Sequence, residues 1–197
     1  TLQITVLAFL MFCVSKIEHK YKIYIMLMGI FASPIPIIAK NYRAGRIKQL
    51  LSGGSTQTLA GINAIKSGSI FGRGFGLGIQ KYFYLSEAHT DYMFASISEE
   101  MGLIFILVLL TAFFVLISLI FYVGLNIKNS VEKYVILGVG FVLTNQIVGH
   151  IGINLNILPS TGITLPFISY GGSALMSNLI CVALLFKALK SIEWVEK

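Results

Sequence analysis

The chain has 197 residues, of which 56% are hydrophobic and 12% charged, with a mean hydropathy of +0.83. That composition lies outside the range of water-soluble globular domains and reads as an integral membrane protein. The net charge of +7 comes with no nucleic-acid-binding motif, so it points to anionic lipid or an anionic substrate; Cys13 and Cys181 each fall inside an apolar run and imply neither a disulfide framework nor a metal cluster.

The first apolar run, Leu2–Val14, is shorter than the ~20 residues needed to cross a hydrocarbon core of ~30 Å. It reads as a helix cut off at its start, which makes the chain a piece of something longer. A signal peptide is the competing reading, but no basic region precedes the apolar core. After Lys16, Lys20 and Lys22, the uncharged run Ile23–Ala39 predicts a short span, with Pro34 and Pro36 near its end where a helix breaks or kinks.

Residues 40–98 form a long connection rich in cations: Lys40, Arg43, Arg46, Lys48, Lys66, Arg73 and Lys81. Connections beyond ~15 residues are usually functional or disordered, and this one is not low in complexity. Its middle, Ser69–Gly78, alternates glycine with apolar residues but has neither P-loop nor dinucleotide-binding spacing. The glycines are read as allowing tight backbone bends against the membrane. Arg73 and Lys81 beside them offer the alternative of a pyrophosphate grip.

The stretch Leu85–Glu100, LSEAHTDYMFASISEE, holds Asp91, the one aspartate in the chain, with Glu87, His89, Glu99 and Glu100. Titratable chemistry is thus concentrated at the edge of the apolar run that follows. Glu87 and Asp91 are four apart, which on a helix would put both carboxylates on one face. Two such groups beside a low-dielectric medium repel, which favours proton uptake by one and makes a general base near neutral pH. Ser96 and Glu99 have the form of a capping box, with Glu99 and Glu100 otherwise read as carboxylates near a helix N-terminus.

Met101–Ile127 is free of charge and predicts a transmembrane helix. From Tyr134 to Phe186 charge is again absent, and Leu158–Gly162 interrupts the run with turn chemistry, giving two spans, Tyr134–Leu155 and Gly172–Leu189. In the first of these Gln146, His150 and Asn154 recur every fourth residue, a stripe suited to hydrogen bonding between helices or to a polar path with His150 as a proton relay. The expectation is an all-α polytopic membrane bundle of about five spans, residues 1–197 forming a single membrane domain. Lysines fall in the loops at Lys16–Lys22 and Lys128–Lys133 and in the tail at Lys187–Lys197, which places those loops in the cytoplasm and the 40–98 loop outside.

Gln80–Lys81, then YLSEAHTDYMFASISEEMG at Tyr84–Gly102 and LPSTGITLPFISYGGSA at Leu158–Ala174, resemble the paired signatures of the SEDS family, the shape, elongation, division and sporulation proteins. The second stretch is nearer the division and sporulation branch. Tyr42–Arg46 and the Gly72–Gly78 loop add to the likeness. Ser86, Ser98 and Asn156 depart from it, standing where the family usually has Pro, Gly and Gly. Family members have ten spans, so the resemblance implies the C-terminal half of such a protein.

The resemblance implies a peptidoglycan glycosyltransferase of the bacterial cytoplasmic membrane that polymerises lipid II with a class B penicillin-binding protein as partner. It implies that Asp91 is catalytic, removing the proton from the acceptor hydroxyl. Arg43, Arg46, Arg73, Lys81, Glu87 and His89 are candidate substrate-binding residues, and a divalent cation (Mg or Mn) is a further source of positive charge for the pyrophosphate. A lipid II flippase, or a scaffold that activates the penicillin-binding protein, are the alternative readings. As half of a bundle, the chain alone is expected to be inactive.

Overall fold

The computed structural model describes residues 2–15, 20, 45, 50, 53–127 and 130–195. The expected span Ile23–Ala39 and the candidate cations Arg43 and Arg46 lie outside those residues. The described residues form six helices and no strand: α1 (Leu2–Val14), α2 (Thr56–Gly68), α3 (Ile79–Phe83), α4 (Met93–Asn126), α5 (Ser130–Asn154) and α6 (Gly172–Val195). Three of them, over Met93–Asn126, Val131–Asn154 and Gly172–Ser191, are long and apolar enough to cross a membrane. They are the spans predicted from Met101, Tyr134 and Gly172, and the all-α membrane fold is as expected.

The bundle is arranged around α5, which packs against α1, α4 and α6. The α4 face turned to it is narrow: Ile106, Phe113 and Ile120 are buried at seven-residue steps, with Gly124 beyond them. Ile120 joins Ile136, Val139 and Leu143 of α5 and Ala188 of α6 in one apolar cluster, and Phe113 joins Ile147 and Leu165 in another. Small residues bring the axes together where they cross. A β-carbon on Gly124 would lie 2.8 Å from Leu137, and one on Gly140 would lie 3.1 Å from Ile120. Such small-residue seams are how helices associate in lipid, where burial of apolar surface gives little net drive.

Within the 40–98 segment the continuously described residues are 53–98. Ser55 caps α2, its Oγ accepting from the Thr58 amide at 3.2 Å. The alanines Ala60 and Ala64 of α2 then lie against Leu85, Ala88, Tyr92 and Ala95. This cluster docks the connection onto the start of α4.

Near its start α4 is broken. Gly102 has φ 75° and ψ −177°, so Met93–Met101 and the long helix after Leu103 are separate pieces. A break frees carbonyls on one side and amides on the other, and lipid offers neither a partner. The glycine segment supplies partners for four of them. Arg73 N donates to Glu99 O at 2.9 Å and Gly74 N to Glu100 O at 3.0 Å, while Leu103 N donates to Ser69 O at 3.0 Å and Ile104 N to Ile70 O at 3.3 Å. Residues 69–74 therefore lie along 99–104 as a substitute for the missing helical bonds. The approach leaves no room for side chains: a β-carbon on Gly102 would meet the Gly72 amide, and one on Gly72, itself at φ 80°, would meet the Glu100 carbonyl. The expected tight backbone bends are what these glycines provide.

Gly102→Ala is accordingly expected to lower the thermal midpoint of the chain in detergent sharply, since backbone strain alone costs ~1–3 kcal/mol and the clash adds to it. Gly172→Ala, with open space around its β-carbon position, serves as the control. Equal midpoints for the two variants in a fluorimetric melt would contradict the description of the break.

Candidate functional site

Residues 86–92, which carry Glu87, His89 and Asp91, are a run of turns and not a helix. Thr90 N and Tyr92 N both donate to Glu87 O, at 3.3 and 3.1 Å, and Thr90 Oγ1 donates to the Glu87 carboxylate at 2.9 Å. The spacing of Glu87 and Asp91 thus does not place them on one helical face. Glu87 and His89 are exposed, and Asp91 is half-buried.

Three successive carbonyls of this turn are held from the far side of the bundle. His89 O accepts from Tyr170 N at 2.8 Å, Thr90 O from Ser169 Oγ at 2.8 Å and Asp91 O from Asn154 Nδ2 at 3.0 Å. Ser169 Oγ also accepts from Leu165 N at 2.9 Å, closing a turn in which Phe167 is held at φ 63°. That conformation costs a bulky residue ~1–3 kcal/mol, so the turn is over-determined by its surroundings. Gly162 lies next to the Asp91 side chain, the nearest atom to its β-carbon position being Asp91 Oδ2 at 3.8 Å. The two signature stretches, far apart in sequence, therefore meet at Asp91. A groove of about 350 Å³ lined by His89, Met93, Ile168 and Tyr170 opens between them.

The polar stripe of α5 explains how that turn is fixed. Tyr92 is the N-cap of α4 and makes no side-chain cap bond, which leaves the first amides of the helix in need of other acceptors. Phe94 N donates to His150 Nε2 at 3.3 Å and Ala95 N to Asn154 Oδ1 at 3.1 Å. His150 Nδ1 lies 2.7 Å from Ile163 O, a carbonyl that only accepts. The geometry assigns the neutral tautomer with the proton on Nδ1, hydrogen-bonded to Ile163, and the Nε2 lone pair facing Phe94. Both side chains are fully buried. His150 and Asn154 are thus bonds between elements, as one of the two readings of the stripe expected. Gln146 differs, its buried Oε1 having no partner among the described residues.

A second charged cluster sits at the break of α4. Glu99, fully buried, accepts from Ile79 N at 3.0 Å and Gln80 N at 3.1 Å at the start of α3 and from Ser67 Oγ at 3.3 Å, with Arg73 Nε at 3.8 Å. Glu100 pairs with Lys81 Nζ at 3.1 Å. The capping box of Ser96 and Glu99 is not formed, because α4 begins at Met93 and the Glu99 carboxylate caps α3 instead. Glu99 lies six residues into α4 from Met93, ~9 Å along the axis at 1.5 Å per residue, and so beyond the turn that carries Asp91. The structure therefore groups Arg73 and Lys81 with Glu99 and Glu100, and Glu87 and His89 with Asp91. Among the described residues no three His, Cys, Asp or Glu side chains converge as a metal ligand set.

Residues 1–193 match the FtsW/RodA/SpoVE family, described as a cell cycle protein. The chain is 37% identical over 159 residues to a protein of Coxiella burnetii named "Probable peptidoglycan glycosyltransferase FtsW", an alignment covering 76% of this chain and 43% of the relative. The protein of the same name from Legionella pneumophila is 34% identical over 203 residues, covering 96% of this chain and 50% of the relative. The chain spans about half the length of the curated relatives it matches. A solved chain from work described as "Structural coordination of polymerization and crosslinking by a peptidoglycan synthase complex" superposes with a TM-score of 0.69 at 23% identity, covering 93% of this chain and 53% of that one, a likeness of fold. The chain belongs to the FtsW/RodA/SpoVE family.

Asn154 has three hydrogen bonds to lose, to Ala95 N, Asp91 O and His150 O, whereas Gln146 leaves a buried acceptor unmet. Asn154→Leu is expected to destabilise the chain by ~1–3 kcal/mol through the backbone groups it strands. Gln146→Leu is expected to be neutral or stabilising in the same detergent melt. The reverse order of midpoints would show that the stripe does not hold the Asp91 turn.

Proposed function

We propose that this chain supplies the catalytic carboxylate of a lipid II polymerase, a peptidoglycan glycosyltransferase in which Asp91 is the general base. The observation that carries the reading is the meeting of the two signature stretches at Asp91, on a turn whose carbonyls at 89, 90 and 91 are each held by a donor from residues 154–170. Catalysis gains from such pre-organisation, because a base fixed before the substrate arrives needs no reordering as charge develops.

In this reading the Asp91 carboxylate takes the proton of the acceptor sugar hydroxyl. The freed oxygen attacks the anomeric carbon of the donor, a new glycosidic bond forms, and the bond to undecaprenyl pyrophosphate breaks. The leaving pyrophosphate carries the negative charge away and is stabilised by nearby cations. Arg73, whose side chain is 38% exposed and reaches Glu99 only through Nε at 3.8 Å, is the better placed of the described pair. Lys81 is 20% exposed and closely paired with Glu100. Glu87 and His89, exposed residues of the Asp91 turn, meet the headgroup in this scheme, and Arg43 and Arg46, outside the described residues, are the further candidate substrate-binding cations. The loop faces outward, where wall precursors are joined, and a class B penicillin-binding protein crosslinks the product strand.

The test is Asp91→Asn in the full-length protein with its partner. The swap keeps shape and hydrogen-bonding capacity but removes basicity, so polymerisation of purified lipid II is expected to fall by ~10²–10⁴ while partner binding is unchanged. Full polymerising activity in the variant would show that Asp91 is not the base and end its assignment as the catalytic carboxylate.

A further inference from the structure

The residues that wrap the break of α4 expose an apolar surface that the proposed reaction does not use. Phe71, Phe75, Leu77, Tyr82, Phe83 and Tyr84 are each 64–82% exposed. At 150–250 Å² per ring, the five aromatics present roughly 500–900 Å². The largest apolar patch on a typical soluble monomer is about 300–600 Å². A water-filled surrounding is therefore a poor fit for this segment.

We infer that residues 70–84 lie in the interface of the lipid bilayer, as a collar around the outer end of α4, instead of projecting into water as a loop. The placement follows from backbone bonds. Ile70 O accepts from Ile104 N and Ser69 O from Leu103 N, so the collar is fastened at the level where the uninterrupted membrane helix starts. Leu103 and Ile104 are themselves about half exposed, so the apolar face of the collar runs on without a step into the lipid-facing side of a span. Its composition suits that depth. Phenylalanines and tyrosines are mixed with Arg73 and Lys81, and the Lys81 ammonium lies 5.7 Å from the Tyr82 ring centre. The two tyrosines, each with one wet end, beside cations that can meet lipid phosphate are the signature of the membrane–water boundary, and the phenylalanines supply the apolar area that dips below it. A seam for another membrane helix would be built from small residues instead. Immersion is possible because the carbonyls and amides of 69–74 nearest the helix are bonded to α4, which satisfies the rule that non-helical backbone at depth must find partners in protein.

Tryptophan quenching in vesicles tests this independently of the reaction. In a Trp194→Phe background, single tryptophans are introduced as Phe75→Trp and Tyr82→Trp, with Ser86→Trp, in the exposed turn before Asp91, as the aqueous reference. The chain is reconstituted in phosphatidylcholine vesicles with and without bromine on the upper acyl chain. The collar tryptophans are expected to lose the greater part of their emission to brominated lipid and to be little affected by iodide in the water; Ser86→Trp is expected to show the reverse. Iodide quenching of the collar tryptophans at the level of Ser86→Trp would place the collar in water and overturn the inference. Insensitivity to both quenchers would overturn it equally, by showing that protein covers the surface. Either collar variant suffices if the other fails to insert.

Discussion

Every backbone amide and carbonyl of α4 that is not paired within the helix must be paired by the rest of the chain, because lipid will not do it. α4 creates that need twice, at its first turn and at Gly102. The two solutions set most of the architecture. At the first turn the partners are side chains, His150 and Asn154 of α5. At Gly102 they are backbone groups of residues 69–74. The first solution pins α5 to the start of α4, and the second pins the 40–98 connection to its outer end.

Asp91 gains its setting from the first of these. Asn154 spends one amide hydrogen on Asp91 O and its oxygen on Ala95 N, so the side chain that caps α4 also fixes the turn just before it. Ser169 and Tyr170 extend the same arrangement to Thr90 and His89. A carboxylate on a turn held at three consecutive carbonyls has its backbone fixed in advance. The second solution organises the cations, since α3 and Arg73 are drawn to the buried Glu99 carboxylate. Structural bonds and candidate chemistry thus share residues, and a substitution such as Glu99→Ala would be expected to disturb both.

The spans were legible because charge is absent from them but for Lys187 near the end of the last: Met101–Ile127, Tyr134–Leu155 and Gly172–Leu189 differ from the observed helices mainly at their ends. The border at Met101 falls one residue from the break at Gly102, since Glu99 and Glu100 mark where the apolar run begins. The shared face that Glu87 and Asp91 would have on a helix is not realised, because a spacing of four says nothing of conformation, and here Tyr92 N bonds to Glu87 O five residues back. Glu99 was assigned to its own helix when it caps α3, a partnership between residues twenty apart that no local pattern contains. Asn156, which stands where the family favours glycine, takes φ 55° and closes α5 with Ile157 N bonded to Gly152 O at 2.8 Å. Asparagine tolerates that left-handed conformation better than other side chains, so the departure is conservative in physical terms.

The central claim is that the two signature stretches form one site at Asp91, and a designed disulfide tests it directly. Tyr170 N and His89 O are 2.8 Å apart, which brings the two α-carbons within the ~4.4–6.8 Å range that a disulfide spans. In a chain with Cys13 and Cys181 replaced by serine, the pair His89→Cys and Tyr170→Cys should form an intramolecular disulfide under mild oxidation in the membrane. Protease cleavage at Lys128 or Lys133 would then yield fragments that stay joined until reduced. Fragments that separate without reductant, under conditions that oxidise exposed thiol pairs, would mean that the stretches do not meet and that Asp91 belongs to a different site.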